Sequence, residues 1–228
     1  MSFRVRQRLG PADVVTLANA ALGVVAITAV LTADPALVAR LILLAAVADG
    51  LDGIVARTYG GTEVGPFLDG MADVVSFGTA PGLFVFAVAR EAWAPLSAAP
   101  GRWALAVAAA ALLVVFSLVR TGLYTVFYDE DENHPGIQNT LAASILAAAY
   151  LAGFTQPALL VGGALVLSAL MVAPVPYPKL SARDAIAMGL VQLGAIARPA
   201  ALSRALPRVL LVAALAYMLL APWFYWEH

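Results

Sequence analysis

The chain has 228 residues, of which 62% are apolar and 12% charged, and its mean hydropathy is +0.89. A water-soluble domain carries about a quarter charged residues and could not hide this much apolar surface from water, so an ordinary soluble protein is excluded. The chain has no cysteine and two histidines, which excludes disulfides, a cysteine nucleophile and a multi-histidine zinc site. The net charge of −1 says little, because the placement of the charges matters more than their sum.

Long apolar stretches follow one another, and most approach the ~20 residues that a membrane-spanning helix needs. The first begins after Arg4, Arg6 and Arg8 and is too long for the apolar core of a signal peptide, so we expect it to remain as a span. The sequence predicts an all-α integral membrane protein, a bundle of six core transmembrane helices plus a C-terminal span. The predicted spans are 13–32, 36–58, 66–90, 102–127, 137–154, 156–173 and 208–226.

The segment 184–197 is apolar but short, so we expect it to lie in the interface or to re-enter the membrane. If this segment does not cross the membrane, nine basic residues lie on the same side as the N-terminus and three lie on the opposite side. The positive-inside rule then predicts that the protein lies in the cell membrane with its N-terminus in the cytoplasm. The nine are Arg4, Arg6, Arg8, Arg57, Lys179, Arg183, Arg198, Arg204 and Arg208, and the three are Arg40, Arg90 and Arg102.

Four carboxylates lie in two consecutive predicted spans, where each charge is expensive unless it is paired, hydrated or bound to metal. Asp49 and Asp52 are i and i+3 on one helix face, and Asp69 and Asp73 are i and i+4 on the next helix. Both pairs fall near the same membrane face. Divalent cations with oxygen ligands, Mg²⁺ or Mn²⁺, would make such a cluster tolerable, and two ions could stabilise the attacking and leaving oxygens of a displacement at phosphorus.

Alternative roles for these acids remain open. The aspartates could cap helices or pair with arginines, and a divalent-cation transporter or a non-catalytic membrane scaffold are further alternatives. Transporters often show repeats and broken helices in corresponding halves, whereas these four acids lie in one hairpin. Arg57 and Arg120 would suit pyrophosphate oxygens, although Arg120 could instead reach to the interface.

The spacing of the acids carries a family resemblance. Asp49-x-x-Asp52-Gly53-x-x-Ala56-Arg57, seven residues, then Gly65-x-x-x-Asp69-x-x-x-Asp73 resembles the signature of the CDP-alcohol phosphatidyltransferases. The stretch from Ser76 to Pro81 is similar to the Ser-Phe-Gly-x-Ala-Pro sequence of the phosphatidylserine synthase branch. The resemblance covers about residues 11 to 180, so we expect a catalytic membrane domain at 1–180 and an extension at 181–228.

The resemblance implies a metal-dependent transfer of a phosphatidyl group from a CDP-linked lipid to the hydroxyl of L-serine, with release of CMP. Asp73 would be the general base as well as a metal ligand. The implied residue sets are metal ligands Asp49, Asp52, Asp69 and Asp73; CDP-lipid contacts Thr16, Asn19, Gly53, Ala56, Arg57 and Gly65; and acceptor contacts Ser76, Arg120 and Asn139.

The partners implied are a CDP-lipid, L-serine, membrane lipid and a second copy of the chain in a homodimer; no nucleic acid is expected. The donor could be CDP-diacylglycerol, or CDP-archaeol if the chain is an archaeal version acting on an ether lipid. Glycerol-3-phosphate or inositol phosphate is the alternative acceptor. Ser76 could equally serve helix packing, and Asn139 could simply begin a helix.

Overall fold

The structure, a computed structural model, describes residues 8–127, 134–177 and 182–224. Arg4, Arg6 and Lys179, on which the predicted orientation depends, lie outside these ranges. The described residues form an all-α membrane fold with one short pair of antiparallel strands. The elements are α1 Pro11–Thr32, α2 Pro35–Tyr59, α3 Gly65–Asp73, a π-helical segment Val74–Thr79, α4 Ala80–Ala92, α5 Pro100–Phe127, β1 His134–Pro135, α6 Asn139–Ala152, α7 Pro157–Met171, β2 Pro176–Tyr177, α8 Ala182–Ala197 and α9 Ala201–Phe224.

Proline and aspartate define where several helices begin. Pro11, Pro35 and Pro157 open α1, α2 and α7, where the missing N–H would have no helical acceptor. Asp34 caps α2, because its carboxylate accepts a hydrogen bond from the N–H of Ala36 at 2.9 Å. At the other end of a helix, Gly153 ends α6 in the left-handed conformation.

Four helical stretches within the described ranges are long and apolar enough to cross a membrane: Pro11–Thr32, Gly65–Ala92, Pro100–Phe127 and Ala201–Trp223. The second of them is α3, the π-helical segment and α4 joined end to end. Large apolar side chains stay exposed on these spans, among them Leu31 and Phe127, as expected where lipid rather than protein covers the surface. The chain is therefore a multi-pass membrane protein.

Small residues bring α1, the π-helical segment and α5 into close contact. A Cβ on Gly23 would collide with Ser76, and a Cβ on Gly78 would lie 3.0 Å from the Cβ of Ser117. Membrane helices pack closely at such positions because little side chain separates their backbones. The core formed beside them includes Phe77, Phe84, Leu113, Leu160 and Met171, all buried.

The helices run between two ends of the molecule. We call the end where α2 stops at Tyr59 and α3 starts at Gly65 the carboxylate end, and the end where α1 stops at Thr32 and α2 starts at Pro35 the far end. α6 begins at the carboxylate end, where Thr140 contacts Asp49. Its 14 residues carry it about 20 Å toward the far end.

The helix α8 runs between these two ends, a course that differs from the interfacial or re-entrant placement expected for 184–197. α8 follows Tyr177 of the carboxylate end by a few residues, and the Nε2 of Gln192 donates to the carbonyl of Leu43 within α2 at 2.7 Å. At the start of α9, the Nε of Arg208 donates to the carbonyl of Ala152, the last residue of α6, at 3.4 Å. The α8–α9 link therefore lies at the far end.

This crossing also changes the predicted orientation. Arg198, Arg204 and Arg208 lie at the far end and not, as the sequence predicted, on the side of the N-terminus. With the remaining basic residues on their predicted sides, the two ends carry equal numbers of them. The positive-inside rule then gives no preference for either orientation.

Candidate active site

Three aspartates from two helices converge at the carboxylate end. Asp49 comes from α2, and Asp69 and Asp73 come from successive turns of α3. One carboxylate oxygen from each lies within 4.8 Å of the other two, and all three side chains are half-buried. The i, i+4 spacing of Asp69 and Asp73 turns both toward α2. The structure thus brings together three of the four predicted metal ligands.

The trio fits a hard divalent cation. Three carboxylates this close repel one another in the absence of a counter-charge, and Oδ1 of Asp73 is buried without a hydrogen-bond partner. Mg²⁺ and Mn²⁺ prefer such oxygen donors. Asp49, Asp69 and Asp73 are the residues that could hold the ion.

Hydroxyl groups from two flanking helices orient the aspartates of α2. Thr140, in the first turn of α6, donates to Oδ2 of Asp49 at 3.0 Å. Thr16 of α1 donates to Oδ2 of Asp52 at 2.8 Å. Asp52 is buried and lies outside the three-carboxylate group, on the α1 side of α2.

A polar cavity of about 280 Å³ opens beside the three carboxylates. Its wall combines acidic, basic and neutral polar groups from α2, α3, α5, the start of α6 and the strand pair. The lining residues are Asp49, Asp69, Asp73, Arg120, Tyr124, Gly136, Gln138, Thr140 and Tyr177. This volume suits a small polar molecule placed against the acids.

Arg120 brings a positive charge into this cavity from α5. Its guanidinium lies over the ring of Tyr124, with 4.1 Å from Cζ to the ring centroid. The Nε of Arg120 is buried without a hydrogen-bond partner. Tyr124 is itself held, because its hydroxyl donates to the carbonyl of Pro135 in β1. Arg120 is therefore positioned to bind an anionic group.

The strand pair and the turn after it contribute Gly136, Gln138 and Tyr177 to the cavity wall. Pro135 pairs with Pro176, and the N–H of Gly136 donates to the carbonyl of Val175 at 2.8 Å. Gly136 has a φ of +80°, and any Cβ there would overlap the carbonyl of Met171. Only glycine fits this turn, which delivers Gln138 and Thr140 to the cavity.

Two predicted acceptor contacts lie outside the lining that the described residues form. Ser76 is fully buried in the π-helical segment, and its hydroxyl donates to the carbonyl of Asn19 at 3.0 Å. Asn139 is also fully buried, and its Nδ2 donates to the hydroxyl of Thr121 at 3.0 Å. Each side chain ties helices together behind the cavity, while the third predicted contact, Arg120, lines it.

The residues predicted to contact the CDP-lipid lie around α1, the second half of α2 and the α2–α3 loop. The exposed guanidinium of Arg57 folds back over Gly53, with Nη1 3.4 Å from where a Cβ on that glycine would be. Ala56 occupies the last turn of α2, and its carbonyl accepts the N–H of Gly60 at 2.9 Å. Asn19 is fully buried, and its side-chain oxygen and nitrogen have no hydrogen-bond partner.

Asp13 links two of the segments that carry the predicted CDP-lipid contacts. Its carboxylate accepts the N–H of Gly10 at 2.7 Å and the hydroxyl of Thr62 at 2.9 Å, which ties the start of α1 to the α2–α3 loop. A Cβ on Gly65 would lie 3.3 Å from Oδ1 of Asp13. The glycine thus lets the start of α3 approach this buried carboxylate.

Five cavity residues were not among the site residues predicted from the sequence: Tyr124, Gly136, Gln138, Thr140 and Tyr177. Tyr124 could have been found, since it is four residues after Arg120 and shares its helix face. The other four come from β2, the turn after β1 and the first turn of α6, and no helical spacing links them to the predicted aspartates.

Comparisons with known proteins agree with this geometry. Residues 10–177 match the CDP-alcohol phosphatidyltransferase family. An archaetidylserine synthase of Methanothermobacter thermautotrophicus is 29% identical over 178 residues, which cover 76% of this chain and 71% of that protein. A CDP-diacylglycerol–serine O-phosphatidyltransferase of Mycobacterium leprae is 36% identical over 106 residues, which cover 46% of this chain and 33% of that protein.

The match covers every aspartate of the site, both helices that carry them and the strand pair that closes the cavity. This chain therefore belongs to the CDP-alcohol phosphatidyltransferase family, and it is a membrane transferase of phospholipid biosynthesis.

Proposed function

We propose that this enzyme transfers the phosphatidyl or archaetidyl group of a CDP-linked lipid to the hydroxyl of L-serine and releases CMP. The observation that carries the proposal is the convergence of Asp49, Asp69 and Asp73 on a small polar cavity that also contains Arg120. The names of both relatives refer to serine or to a serine-bearing lipid, which supports this acceptor.

Three aspartates of the cavity and one beside it are the proposed metal ligands. Asp49, Asp69 and Asp73 have the geometry for one Mg²⁺ or Mn²⁺. Asp52 is the fourth acid, on the α1 side of α2, and would be a ligand of a second ion. A bound divalent ion would neutralise charge on the pyrophosphate and so make CMP a better leaving group. Asp49 is held in place for this role by Thr140.

The chain's own groups account for the acceptor half of the reaction. Arg120 would bind the carboxylate of serine, since its guanidinium lines the cavity and its Nε lacks a partner. Asp73 would take the proton of the serine hydroxyl as that oxygen attacks the phosphorus bonded to the lipid. The new O–P bond forms as the P–O bond to CMP breaks, and no covalent enzyme intermediate is needed.

The donor half belongs to the opposite side of the aspartates. We propose that Gly53, Ala56, Arg57 and Gly65 shape the CDP pocket, with the exposed guanidinium of Arg57 free to turn toward the pyrophosphate. Thr16 and Asn19 are buried on the same side, in α1. The unpartnered side-chain amide of Asn19 supports a role there, because a buried amide without a partner is unfavourable until something binds it.

The charge in the cavity favours serine over a phosphorylated acceptor. Among the described residues that line it, Arg120 is the one cation, beside three acids. A single guanidinium matches a carboxylate, whereas a phosphate with two charges would call for a larger basic pocket. Glycerol-3-phosphate and inositol phosphate are therefore disfavoured.

The cellular setting completes the proposal. We infer that the carboxylate end faces the cytoplasm, since the donor's nucleotide and the CMP product are water-soluble metabolites of that compartment. We further propose a homodimer in the cell membrane, on the family resemblance alone, with 1–180 as the catalytic domain and 181–228 as its extension.

Purified enzyme in detergent with Mn²⁺, a CDP-lipid and a panel of acceptors tests the reaction through CMP release. We expect turnover with L-serine, and we expect Asp73→Asn to reduce kcat by roughly 10²-fold or more, because the general base is lost, while binding of CDP-lipid remains measurable. Turnover with inositol phosphate and none with serine would contradict the acceptor. Normal kcat in Asp73→Asn would remove Asp73 from its role.

A further inference from the structure

The last helix contains a backbone carbonyl that cannot make its helical hydrogen bond. In an α-helix the carbonyl of residue i accepts the N–H of residue i+4, and proline has no N–H. Pro222 lies within α9, four residues after Met218. The carbonyl of Met218 therefore has no helical donor and is free to accept a bond from elsewhere.

That bond comes from the wall of the active-site cavity. The hydroxyl of Tyr177 donates to the carbonyl of Met218 at 3.1 Å, and its ring lies 6.2 Å from the ring of Tyr217 in α9. Tyr177 is only 8% exposed and lines the cavity beside the aspartates. A helix outside residues 10–177, the range of the family match, thus holds a side chain of the active site.

The hydrogen bond also determines whether the Tyr177 hydroxyl can donate a hydrogen bond to a ligand or only accept one. Burial raises the pKa of the Tyr177 phenol, so the group stays neutral at physiological pH and keeps its proton. The hydroxyl donates that proton in its hydrogen bond to the carbonyl of Met218. A ligand that reaches the phenol oxygen therefore meets lone pairs and must itself bring a hydrogen-bond donor.

We propose that the Tyr177–Met218 hydrogen bond, made possible by Pro222, presents the phenol oxygen as an acceptor for the ammonium group of an amino-alcohol substrate. Tyr177 is then a specificity-determining residue, and Pro222 is a positioning residue that acts through it. The inference rests on the proposed function in treating the cavity as the acceptor site, but it needs an amino alcohol and not serine in particular.

The test compares wild type, Tyr177→Phe, Pro222→Ala and the double variant by CMP release, using the amino alcohol that wild type turns over fastest. Tyr177→Phe removes one hydrogen bond to a charged group and should raise the KM of that acceptor roughly tenfold, with the KM of CDP-lipid within about twofold of wild type. Pro222→Ala restores an N–H that competes for Met218 and should raise the acceptor KM by a smaller factor.

Two further measurements separate this role from a merely structural one. The deamino analogue of the acceptor, 3-hydroxypropionate in the case of serine, lacks the ammonium, so Tyr177→Phe should reduce the preference of the enzyme for the amino compound. The double variant should match Tyr177→Phe alone, because both changes act through one bond. Pro207→Ala replaces a proline near the start of α9, at the far end of the molecule, and as a control it should leave the acceptor KM unchanged.

An acceptor KM for Tyr177→Phe within about twofold of wild type would overturn the inference, as would effects of Tyr177→Phe and Pro222→Ala that multiply in the double variant. If Tyr177→Phe does not fold, as judged by loss of CDP-lipid turnover with every acceptor, the acceptor KM of Pro222→Ala and the preference of that variant for the amino compound over its deamino analogue decide. If the wild-type enzyme turns over an amino alcohol other than serine and does not turn over serine, the proposed acceptor is wrong and this test still applies. Turnover only with acceptors that lack an amino group would overturn both.

Discussion

At the scale of single residues, two threonines separate aspartates that the sequence places on one helix face. Asp49 and Asp52 are three residues apart, which predicts a shared ligand set. In the structure Thr140 of α6 binds Asp49 and Thr16 of α1 binds Asp52, so the two carboxylates are held from different sides of α2. Side chains that are distant in sequence therefore determine that the two carboxylates do not share one ligand set.

Replacing Asp69 by asparagine tests the metal role of the converging acids. Removing one of three carboxylate ligands should weaken Mn²⁺ affinity by roughly tenfold or more, since even the loss of a group that hydrogen-bonds to a metal ligand has an effect of that size. Titration of activity against Mn²⁺, together with Mn²⁺ paramagnetic resonance on the resting enzyme, measures it.

Asp34→Asn is the matched control for that change. Asp34 caps α2 at the far end, and asparagine caps a helix equally well, so Mn²⁺ affinity should stay at the wild-type value. An Asp69→Asn enzyme with the Mn²⁺ affinity of wild type would argue against a metal at the three carboxylates.

At the scale of elements, the connection from β1 to α6 does more than join two helices. It pairs with β2, supplies the carbonyl that holds Tyr124, and turns at Gly136 so that Gln138 and Thr140 enter the cavity. The turn depends on a positive φ and on a close approach to Met171 that leaves no room for a side chain.

Gly136→Ala should therefore destabilise the enzyme and damage acceptor binding together. A non-glycine residue forced into this conformation costs about 1–3 kcal/mol, and the overlap with the carbonyl of Met171 adds to that. Thermal unfolding in detergent and the acceptor KM measure the two effects.

Gly162→Ala in α7 is the control, because nothing lies within 4 Å of the position its Cβ would take. Alanine in a helix interior should hold or raise the melting temperature. Equal melting temperatures for the two variants would show that Gly136 does not need its special conformation.

At the scale of the whole molecule, the C-terminal hairpin of α8 and α9 packs as part of the bundle. Gln192 bonds to α2, Arg208 to α6, and Met218 to the cavity wall. These three contacts lie at different depths, which requires α8 to cross. The hairpin therefore braces helices that carry Asp49 and Thr140.

The absence of cysteine makes this topology directly testable. Single cysteines at the exposed positions Gly61, Ser97 and Ala200 report the α2–α3 loop, the α4–α5 loop and the α8–α9 link. In sealed vesicles of one orientation, a membrane-impermeant maleimide should label positions 97 and 200 from one side and position 61 from the other. Labelling of 61 and 200 from the same side would contradict the crossing, and the cysteine-free chain should not react.

The sequence by itself determined the membrane fold, most of its spans and the acids at its centre. Apolar length and helical spacing are local properties, so they predicted six core spans and placed Asp69 and Asp73 on one face. The fixed spacing from Asp49 to Asp73 likewise indicated the family that the comparisons then showed.

Only the tertiary structure decided which groups meet around those acids. The crossing of α8 depends on its contacts with α2 and α9, because 16 residues are short for a span and their hydropathy alone does not choose. Part of the cavity wall comes from the turn after β1 and from Tyr177 of β2, whose hydroxyl is held by a carbonyl of α9, and these segments lie far apart in the sequence. Such contacts depend on how whole helices pack, and no local pattern encodes them.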